Sequence, residues 1–304
     1  MNKSFVTAII SLATIIFIAG CPPTPTPPTK PATIKPQQPT TESSKPKIEK
    51  SAATIFNEKC APVLNEFVDD NGMVDYRILK RNQSQLKSLL NEFAELNPKE
   101  YDSWAEEDKI AFWLNAYNIQ LLKTILSNYP IQASRIRLVF WPPKSIRHIQ
   151  GIYTDHKFII MDEQFTLSEL EKKIFKKQFD EPRVFMAISQ ASISGPALRN
   201  EPYYGHSLQQ QLDDQTKKFL SRTDAFKIDR QKKTVRLSAI LNPNWYGKQF
   251  VSKYGTNKKF KDQPESVRAV LNFTTKYISK QDVNFLEIEN YTVEFMKYNW
   301  VLNE

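Results

Sequence analysis

Two asparagines that lie three residues apart, Asn115 and Asn118, are the first side chains in this sequence that could do chemistry. They stand beside Trp113 and Tyr117, and a spacing of three places both amides on one face of a helix. Asparagine is a poor helix former unless its amide finds a hydrogen-bond partner. The stretch therefore predicts either the wall of a ligand pocket or a polar network that ties a neighbouring loop to the helix.

A second group of polar side chains follows the short apolar run at residues 184–188, which predicts a strand. The loop after this run contains Gln190, Ser192 and Ser194, and Arg183 immediately precedes the run. A rigid strand that leads into a loop of small residues is a common place for function. We expect Arg183 to anchor the loop or to meet an anionic group. The alternative is a plain turn at the end of a core strand.

The sequence predicts no metal site and no cofactor. Its three histidines, His148, His156 and His206, lack the spacing of metal ligands. Glycine-rich phosphate loops and the GxSxG nucleophile motif are absent from the sequence. Of its two cysteines, Cys21 is expected to be acylated, which leaves Cys60 without a disulfide partner. Cys60 lies in a predicted helix, where it is expected to be a core or surface residue.

Apolar periodicity and capping residues predict a helix-rich α+β domain around a small, mainly antiparallel sheet. Ser103 with Glu106, and Thr166 with Glu169, have the spacing of capping boxes that open helices. Helices are predicted over residues 55–67, 83–96, 103–127, 166–176, 208–220, 245–254 and 265–278. Strands are predicted over residues 157–161, 184–188, 226–228, 235–237, 285–288 and 292–296. The apolar stripe of the longest helix is expected to be formed by Ile110, Trp113, Tyr117 and Leu121.

The first 20 residues have the features of a bacterial lipoprotein signal peptide. An apolar run that is short for a membrane span ends in Ile18-Ala19-Gly20-Cys21, which resembles a lipobox. We expect cleavage before Cys21, acylation of its thiol, and anchoring of the chain to a membrane. Pro22 stands where an aspartate would signal retention in the inner membrane, so the outer membrane is favoured, with the domain facing the periplasm or the cell exterior.

Residues 21–51 are predicted to be a tether between the lipid and a single globular domain at residues 52–304. Nine of the 19 prolines fall in the tether, which has almost no apolar side chains and cannot form a core. The net charge of +9 suits an envelope protein that contacts anionic lipid head groups or cell-wall polymer, and nucleic acid is not expected as a partner.

Five short motifs, in the same order along the chain, resemble the family catalogued as domain of unknown function 547. They lie at residues 71–76, 111–118, 166–171, 180–184 and 299–303, so the resemblance covers nearly the whole predicted domain. The resemblance implies a distant likeness to papain-like or transglutaminase folds, many of which use a catalytic thiol.

The resemblance also identifies four departures from the family pattern. The family usually has a cysteine at the position of Gln190 and a second one at Gly195. It favours histidines at the positions of Lys172 and Phe185. Thiolate catalysis needs a thiol and usually an imidazole that deprotonates it. The leading hypothesis is therefore a non-catalytic domain that binds a ligand or an envelope protein.

Three alternatives follow from these residues. In the leading hypothesis, a ligand pocket is lined by Trp113, Asn115, Tyr117, Asn118, Gln190 and Ser192. The second hypothesis is a hydrolase or acyl transferase of peptide or cell-wall amide bonds that uses a serine in place of the missing cysteine. Ser192 or Ser194 would be the nucleophile, His206 the base, and Asn115 or backbone N–H groups would stabilise an oxyanion. The third is a structural spacer or assembly factor.

Overall fold

The computed structural model describes residues 50–304, in which helices greatly outnumber strands. The helices are α1 (Ala52–Glu58), α2 (Ala61–Phe67), α3 (Tyr76–Arg81), α4 (Ser84–Glu95), α5 (Pro98–Asp102), α6 (Glu106–Ser127), α7 (Leu167–Leu170), α8 (Val184–Ala187), α9 (Leu208–Leu220), α10 (Val251–Tyr254), α11 (Glu265–Thr274) and α12 (Lys280–Ile288). The strands are β1 (Phe158–Ile160), β2 (Glu163–Phe165), β3 (Phe226–Asp229), β4 (Thr234–Leu237) and β5 (Thr292–Phe295). The predicted helix-rich α+β class is confirmed.

The predictions for the beginning of the chain fall outside the described residues. They are the signal peptide at residues 1–20, the lipidation of Cys21 and nearly all of the tether at residues 21–51. Among the helices within residues 50–304, none combines the length and the apolar character needed to cross a membrane.

The sheets are small and mainly antiparallel, as predicted. Strands β1 and β2 form an antiparallel pair in which Ile159 faces Gln164. Strands β3 and β4 form the predicted hairpin, and β5 joins the open edge of β4 in parallel, with Val235 beside Val293.

The predicted apolar stripe of helix α6 is buried, and the burial extends to nearly all sides of the helix. Sixteen of its 22 residues are buried, because α1, α4, α7 and α9 pack around it. A helix surrounded in this way has no solvated face on which polar residues can lie. Asn115, Asn118 and Gln120 are therefore core residues and must find partners inside the protein.

The segment at residues 298–303 fastens distant parts of the domain together. Leu302 forms a backbone bridge with Ser192, in the loop after α8. The Asn303 side chain donates to the Gly72 carbonyl oxygen at 2.9 Å and accepts from the Tyr76 hydroxyl at 3.0 Å. Two of the motifs that carry the family resemblance, at residues 71–76 and 299–303, are thus direct partners in the structure.

Two helix predictions were wrong in their local detail. The helix expected over residues 55–67 is divided into α1 and α2, with Cys60 at the start of α2 and Pro62 in its first turn. The Ser103 capping box does not form, because the Ser103 hydroxyl donates to the Glu100 carbonyl oxygen within the preceding helical turn. Helix α6 begins instead after Ala105, without a side-chain cap. The Thr166 capping box is confirmed.

Two predicted strands are helices. Residues 184–188 form α8 and its C-cap, and residues 285–288 form the last turn of α12. A short apolar run is compatible with either a buried strand or a buried helix, so its periodicity alone does not decide between them. The helix predicted over residues 166–176 is α7 followed by a π-helical turn, Glu171–Phe175. The helix predicted near residues 245–254 is a 3-10 turn, Gly247–Phe250, followed by α10.

Candidate functional site

Glu171 lies between two buried tyrosines and forms the centre of the candidate site. The Tyr117 hydroxyl donates to its Oε1 at 2.8 Å, and the Tyr246 hydroxyl donates to its Oε2 at 2.9 Å. Tyr117 comes from α6, and Tyr246 comes from the loop before α10. The carboxylate therefore joins three parts of the chain that are far apart in sequence.

The local structure around Glu171 sets where its carboxylate points. Thr166 caps α7 by exchanging hydrogen bonds with Glu169, which fixes the start of this helix. The helix then widens into a π-helical turn that begins at Glu171. Such turns occur mostly as single insertions in helices and frequently at functional sites.

Burial controls the protonation of this cluster. Desolvation raises the pKa of Glu171, and it outweighs the hydrogen bonds from Tyr117 and Tyr246 that lower it. Desolvation and the nearby Glu171 charge raise the pKa of both tyrosines well above the ordinary value. Both phenols therefore keep their protons at neutral pH and act as hydrogen-bond donors to the carboxylate.

Gln190, at the position where the family resemblance places a cysteine, belongs to the same cluster. Its Nε2 donates to the Tyr246 hydroxyl at 3.1 Å, and its backbone oxygen accepts from the Tyr153 hydroxyl at 3.2 Å. Phe185, at one of the histidine positions, stacks on Tyr246 with ring centroids 4.4 Å apart. The buried amide and the stacked ring fill the space that a thiol and an imidazole would need.

Gly195, at the second cysteine position, is closely packed. A Cβ atom placed there would lie 2.9 Å from the Gln190 Cβ and 2.9 Å from the Tyr298 hydroxyl oxygen, which is closer than normal Cβ contacts. Any side chain at this position would require the loop or Tyr298 to shift. The packing around Gly195 is thus adapted to the absence of a cysteine.

An open cleft lies beside this cluster; we call it the Arg147 cleft, formed by Trp141, Arg147, Tyr153 and Trp300. The Arg147 guanidinium carbon is 5.0 Å from the Trp141 ring centroid and 5.1 Å from the Trp300 ring centroid. A cavity of about 400 Å³ is lined by Trp141, Arg147 and Tyr153. Because the Tyr153 hydroxyl reaches the Gln190 carbonyl oxygen, the cleft is joined to the buried cluster.

Arg147 is exposed, and its guanidinium forms no ion pair with any residue in the range 50–304. The neighbouring Arg137 is occupied, because its Nη1 donates to the carbonyl oxygens of Arg147 and His148 at 3.1 Å. Stacking between tryptophans orients a guanidinium and leaves its N–H groups available to a carboxylate or phosphate. The cleft therefore combines aromatic faces with one available cation.

The predicted polar network of α6 ties loops to the helix. Asn115 donates to the Tyr203 carbonyl oxygen and accepts from the Tyr203 N–H, both at 2.9 Å. Asn118 donates to the Ala187 carbonyl oxygen at 3.1 Å and accepts from the Ser189 N–H at 2.8 Å. The second amide thus holds the end of α8 and the start of the Gln190 loop.

The remaining α6 aromatic and Arg183 are also internal. Trp113 is buried, and its Nε1 donates to the Tyr101 hydroxyl at 2.7 Å. Arg183 forms ion pairs with Glu181 at 2.7 Å and with Asp213 at 2.8 Å. Of the two expectations for Arg183, the structure favours anchoring, because carboxylates of the chain itself already occupy the guanidinium.

The structure does not bring His206 together with the two serines. The Ser192 hydroxyl is 2.7 Å from the Tyr298 hydroxyl, and Ser194 donates to Asp224 at 3.2 Å. His206 stacks on Tyr204, with ring centroids 5.4 Å apart, and no hydrogen bond between residues 50 and 304 joins it to either serine. The proposed serine–histidine pair lacks the contact that general-base catalysis requires.

Cys60 is fully buried, and desolvation raises the pKa of its thiol. A protonated, enclosed thiol is neither a nucleophile nor a metal ligand. No group of three or more His, Cys, Asp or Glu side chains suited to a metal ion occurs within residues 50–304.

Sequence reasoning did not single out Glu171, Tyr153, Tyr246 or Arg147. Glu171 appeared within a family motif, and a carboxylate beside the apolar residues Leu170 and Ile174 was the available signal. Arg147 lies in a basic, aromatic segment, but its stacking on Trp300 depends on a contact across half of the chain. Only the tertiary structure provides that contact.

Comparison with protein families gives a match over the central part of the chain. Residues 101–220 match the model of the family described as "Protein of unknown function, DUF547". This segment contains α6, Glu171, Gln190 and Arg147. No curated protein and no solved structure gives a significant match. The predicted resemblance is confirmed over residues 101–220, which match the DUF547 family of proteins of unknown function.

Proposed function

We propose that this protein is a non-catalytic binding domain of the cell envelope that holds an acidic cell-wall fragment in the Arg147 cleft. The observation that carries the proposal is the available Arg147 guanidinium, held between Trp141 and Trp300 at the edge of a 400 Å³ cavity. Aromatic faces suit the apolar faces of sugar rings, and a guanidinium suits a carboxylate. Muropeptides combine both groups.

The packing behind the cleft supports binding rather than thiol chemistry. Gln190 occupies the cysteine position and Phe185 a histidine position, and both are engaged with Tyr246. Glu171 accepts from two phenols that keep their protons, so its oxygens are already occupied. This cluster gives the cleft a rigid base, which favours affinity because little side-chain conformational freedom is lost on binding.

The proposed location is a membrane surface in the envelope, with the outer membrane favoured. The support is the lipobox-like Ile18-Ala19-Gly20-Cys21, followed by Pro22. The net charge of +9 also favours anionic cell-wall polymer or lipid as a partner over nucleic acid. Mass spectrometry of the chain purified from membranes tests this part, since acylation of Cys21 adds a defined mass to its N-terminal peptide.

Calorimetric titration of the full chain with a purified muropeptide tests the binding proposal. We expect Arg147→Ala to weaken binding by roughly 10- to 100-fold, because a charge-assisted hydrogen bond contributes about 1.5–3 kcal/mol. Amidation of the muropeptide carboxylates should weaken binding to the native chain about as much as Arg147→Ala weakens binding of the unmodified muropeptide. Both changes remove the same interaction between the guanidinium and a carboxylate.

Arg236→Ala is the matched control, since Arg236 is a surface arginine paired with Glu294 on β5, in a different part of the domain. It should bind the muropeptide as the native chain does. Equal affinity of the native chain and Arg147→Ala would contradict the proposal. Turnover of the muropeptide that is lost on replacing Ser192 or Ser194 would favour the hydrolase hypothesis instead.

A further inference from the structure

An apolar turn at residues 136–140 projects into solvent next to the Arg147 cleft. Ile136 is 79% exposed, Val139 80% and Phe140 72%. These three residues lie at spacings of three and four along a helical turn, so their side chains share one side of it. Soluble proteins rarely expose three large apolar side chains together. Where they do, the patch commonly marks a contact surface.

The apolar turn has a fixed backbone. Its 3-10 helix, Arg137–Val139, is closed by hydrogen bonds from the N–H groups of Phe140 and Trp141 to the Arg137 carbonyl oxygen at 3.0 and 2.9 Å. The Arg137 guanidinium in turn donates to the carbonyl oxygens of Arg147 and His148. The exposed apolar side chains are therefore presented by a turn that is attached to the domain.

The surroundings of the apolar turn are basic. Residues 131–150 contain four lysines and arginines and no aspartate or glutamate. Arg135 is exposed beside Ile136, and Arg147 is exposed next to Trp141. Lys144 differs from these two arginines because it is paired, with its ammonium 3.7 Å from the Glu304 carboxylate. Apolar side chains surrounded by cations match an anionic bilayer surface, which offers phosphates around an apolar interior.

We propose that the apolar turn is a membrane contact, in which Ile136, Val139 and Phe140 enter the interface of an anionic bilayer while the exposed Arg135 meets a lipid phosphate. An anionic bilayer is favoured over a protein partner because the apolar side chains project outward from a segment whose charged residues are all basic. This contact does not depend on ligand binding in the Arg147 cleft.

Fluorescence quenching of Trp141 by vesicles with brominated acyl chains tests this contact in the full chain. Trp141 directly follows Phe140. Its fluorescence is obtained as the difference between the emission of the native chain and that of Trp141→Phe. We expect strong quenching in vesicles that contain about 30% phosphatidylglycerol and about two-fold less in neutral vesicles or at high salt, because anionic lipid attracts Arg135 and salt screens this attraction.

Ile136→Asp and Ile288→Asp form a matched pair of variants. Ile288 is 77% exposed but lies between Glu287 and Glu289, away from the basic segment. Ile136→Asp should abolish the quenching of Trp141, and Ile288→Asp should leave it unchanged. Val139→Asp should repeat the first result, and a thermal melt of each variant shows that it is folded.

Equal quenching of Trp141 in the Ile136→Asp and Ile288→Asp variants would overturn the membrane contact. Absence of Trp141 quenching in the native chain on anionic vesicles would also overturn it, and the turn would then be a surface for a protein. Muropeptide titration of Ile136→Asp separates this result from the proposed function. Native affinity in that titration, with lost quenching, would support both proposals independently.

Discussion

Replacement of Arg183 with methionine is expected to destabilise the domain strongly. We expect the free energy of unfolding to fall by about 3 kcal/mol, because removing one partner of a buried ion pair leaves the other charge uncompensated. The Arg183 guanidinium donates to Glu181 from Nε at 2.8 Å and from Nη2 at 2.7 Å, and Nη1 donates to Asp213. Lys253 remains near Glu181 and limits the loss. Urea unfolding at neutral pH measures this difference.

The same pair predicts a dependence of stability on pH. Burial raises the pKa of Glu181, but the hydrogen bonds from Arg183 and Lys253 lower it by more. The pKa of Glu181 therefore lies below its ordinary value. The folded state therefore binds this proton less tightly than the unfolded state. The stabilisation is present above the ordinary pKa of a glutamate and is lost as the pH falls through the lowered pKa. Arg183→Met should show less of this acid loss than the native chain.

Arg236→Met is the control for Arg183→Met. Arg236 and Glu294 form a surface pair at 3.2 Å, and such pairs contribute about 0–1 kcal/mol. Urea midpoints that shift by the same amount in both variants would show that Arg183 is not the anchor described above. A double-mutant cycle of Arg183→Met with Glu181→Gln isolates the coupling between the two groups.

Replacement of Glu171 with alanine is the second change with a large expected effect. It removes the acceptor for the Tyr117 hydroxyl, which is fully buried, and one partner of the Tyr246 hydroxyl. We expect a loss of about 3 kcal/mol, since an unsatisfied buried donor costs about 1–3 kcal/mol and a cavity adds to it. In a domain of this size the melting temperature should fall by roughly 5–12 °C, as measured by calorimetry.

Glu171→Gln separates the charge of Glu171 from its shape. Because desolvation raises the pKa of Glu171, the folded state holds this proton more tightly than the unfolded state does. The contribution of protonated Glu171 to stability is complete below the ordinary pKa of a glutamate. It is lost as the pH rises through the raised pKa of the folded state. The glutamine variant lacks this loss, so its stability relative to the native chain should improve as the pH increases from about 4 to 7.

A constant difference between Glu171→Gln and the native chain across this pH range would contradict the raised pKa. Glu163→Ala is the control for the alanine variant, because Glu163 is an exposed β2 residue that pairs with Lys173 on the surface. Its removal should change the free energy of unfolding by less than about 1 kcal/mol.

Elements stabilised by neighbours in sequence were predictable. Helix α4 and helix α9 follow from their apolar periodicity, and β3 with β4 follows from two short apolar strands that are joined by a polar turn. The Thr166 capping box needs only residues 166–169 to form its hydrogen bonds. In these cases the partner of each backbone or side-chain group lies within a few residues.

Where several local structures satisfy the same residues, the sequence pattern was insufficient. Ser103 has the spacing of a cap but bonds instead to the preceding turn. The apolar residues of α8 and of the last turn of α12 suit strand or helix, and only the surrounding core selects the helix. The full burial of α6 similarly depends on helices that pack on it from all sides.

The sequence by itself determined the helix-rich α+β class, the resemblance of residues 101–220 to the DUF547 family, and the departures at Gln190, Gly195 and the two histidine positions, because these depend on residue types and their order. The tertiary structure decided which groups meet. Tyr117 and Tyr246 lie 54 and 75 residues from Glu171, and Trp300 reaches Arg147 from the last residues of the domain. Packing over such separations leaves no periodic signal in the chain, so the Glu171 cluster and the Arg147 cleft became visible only in three dimensions.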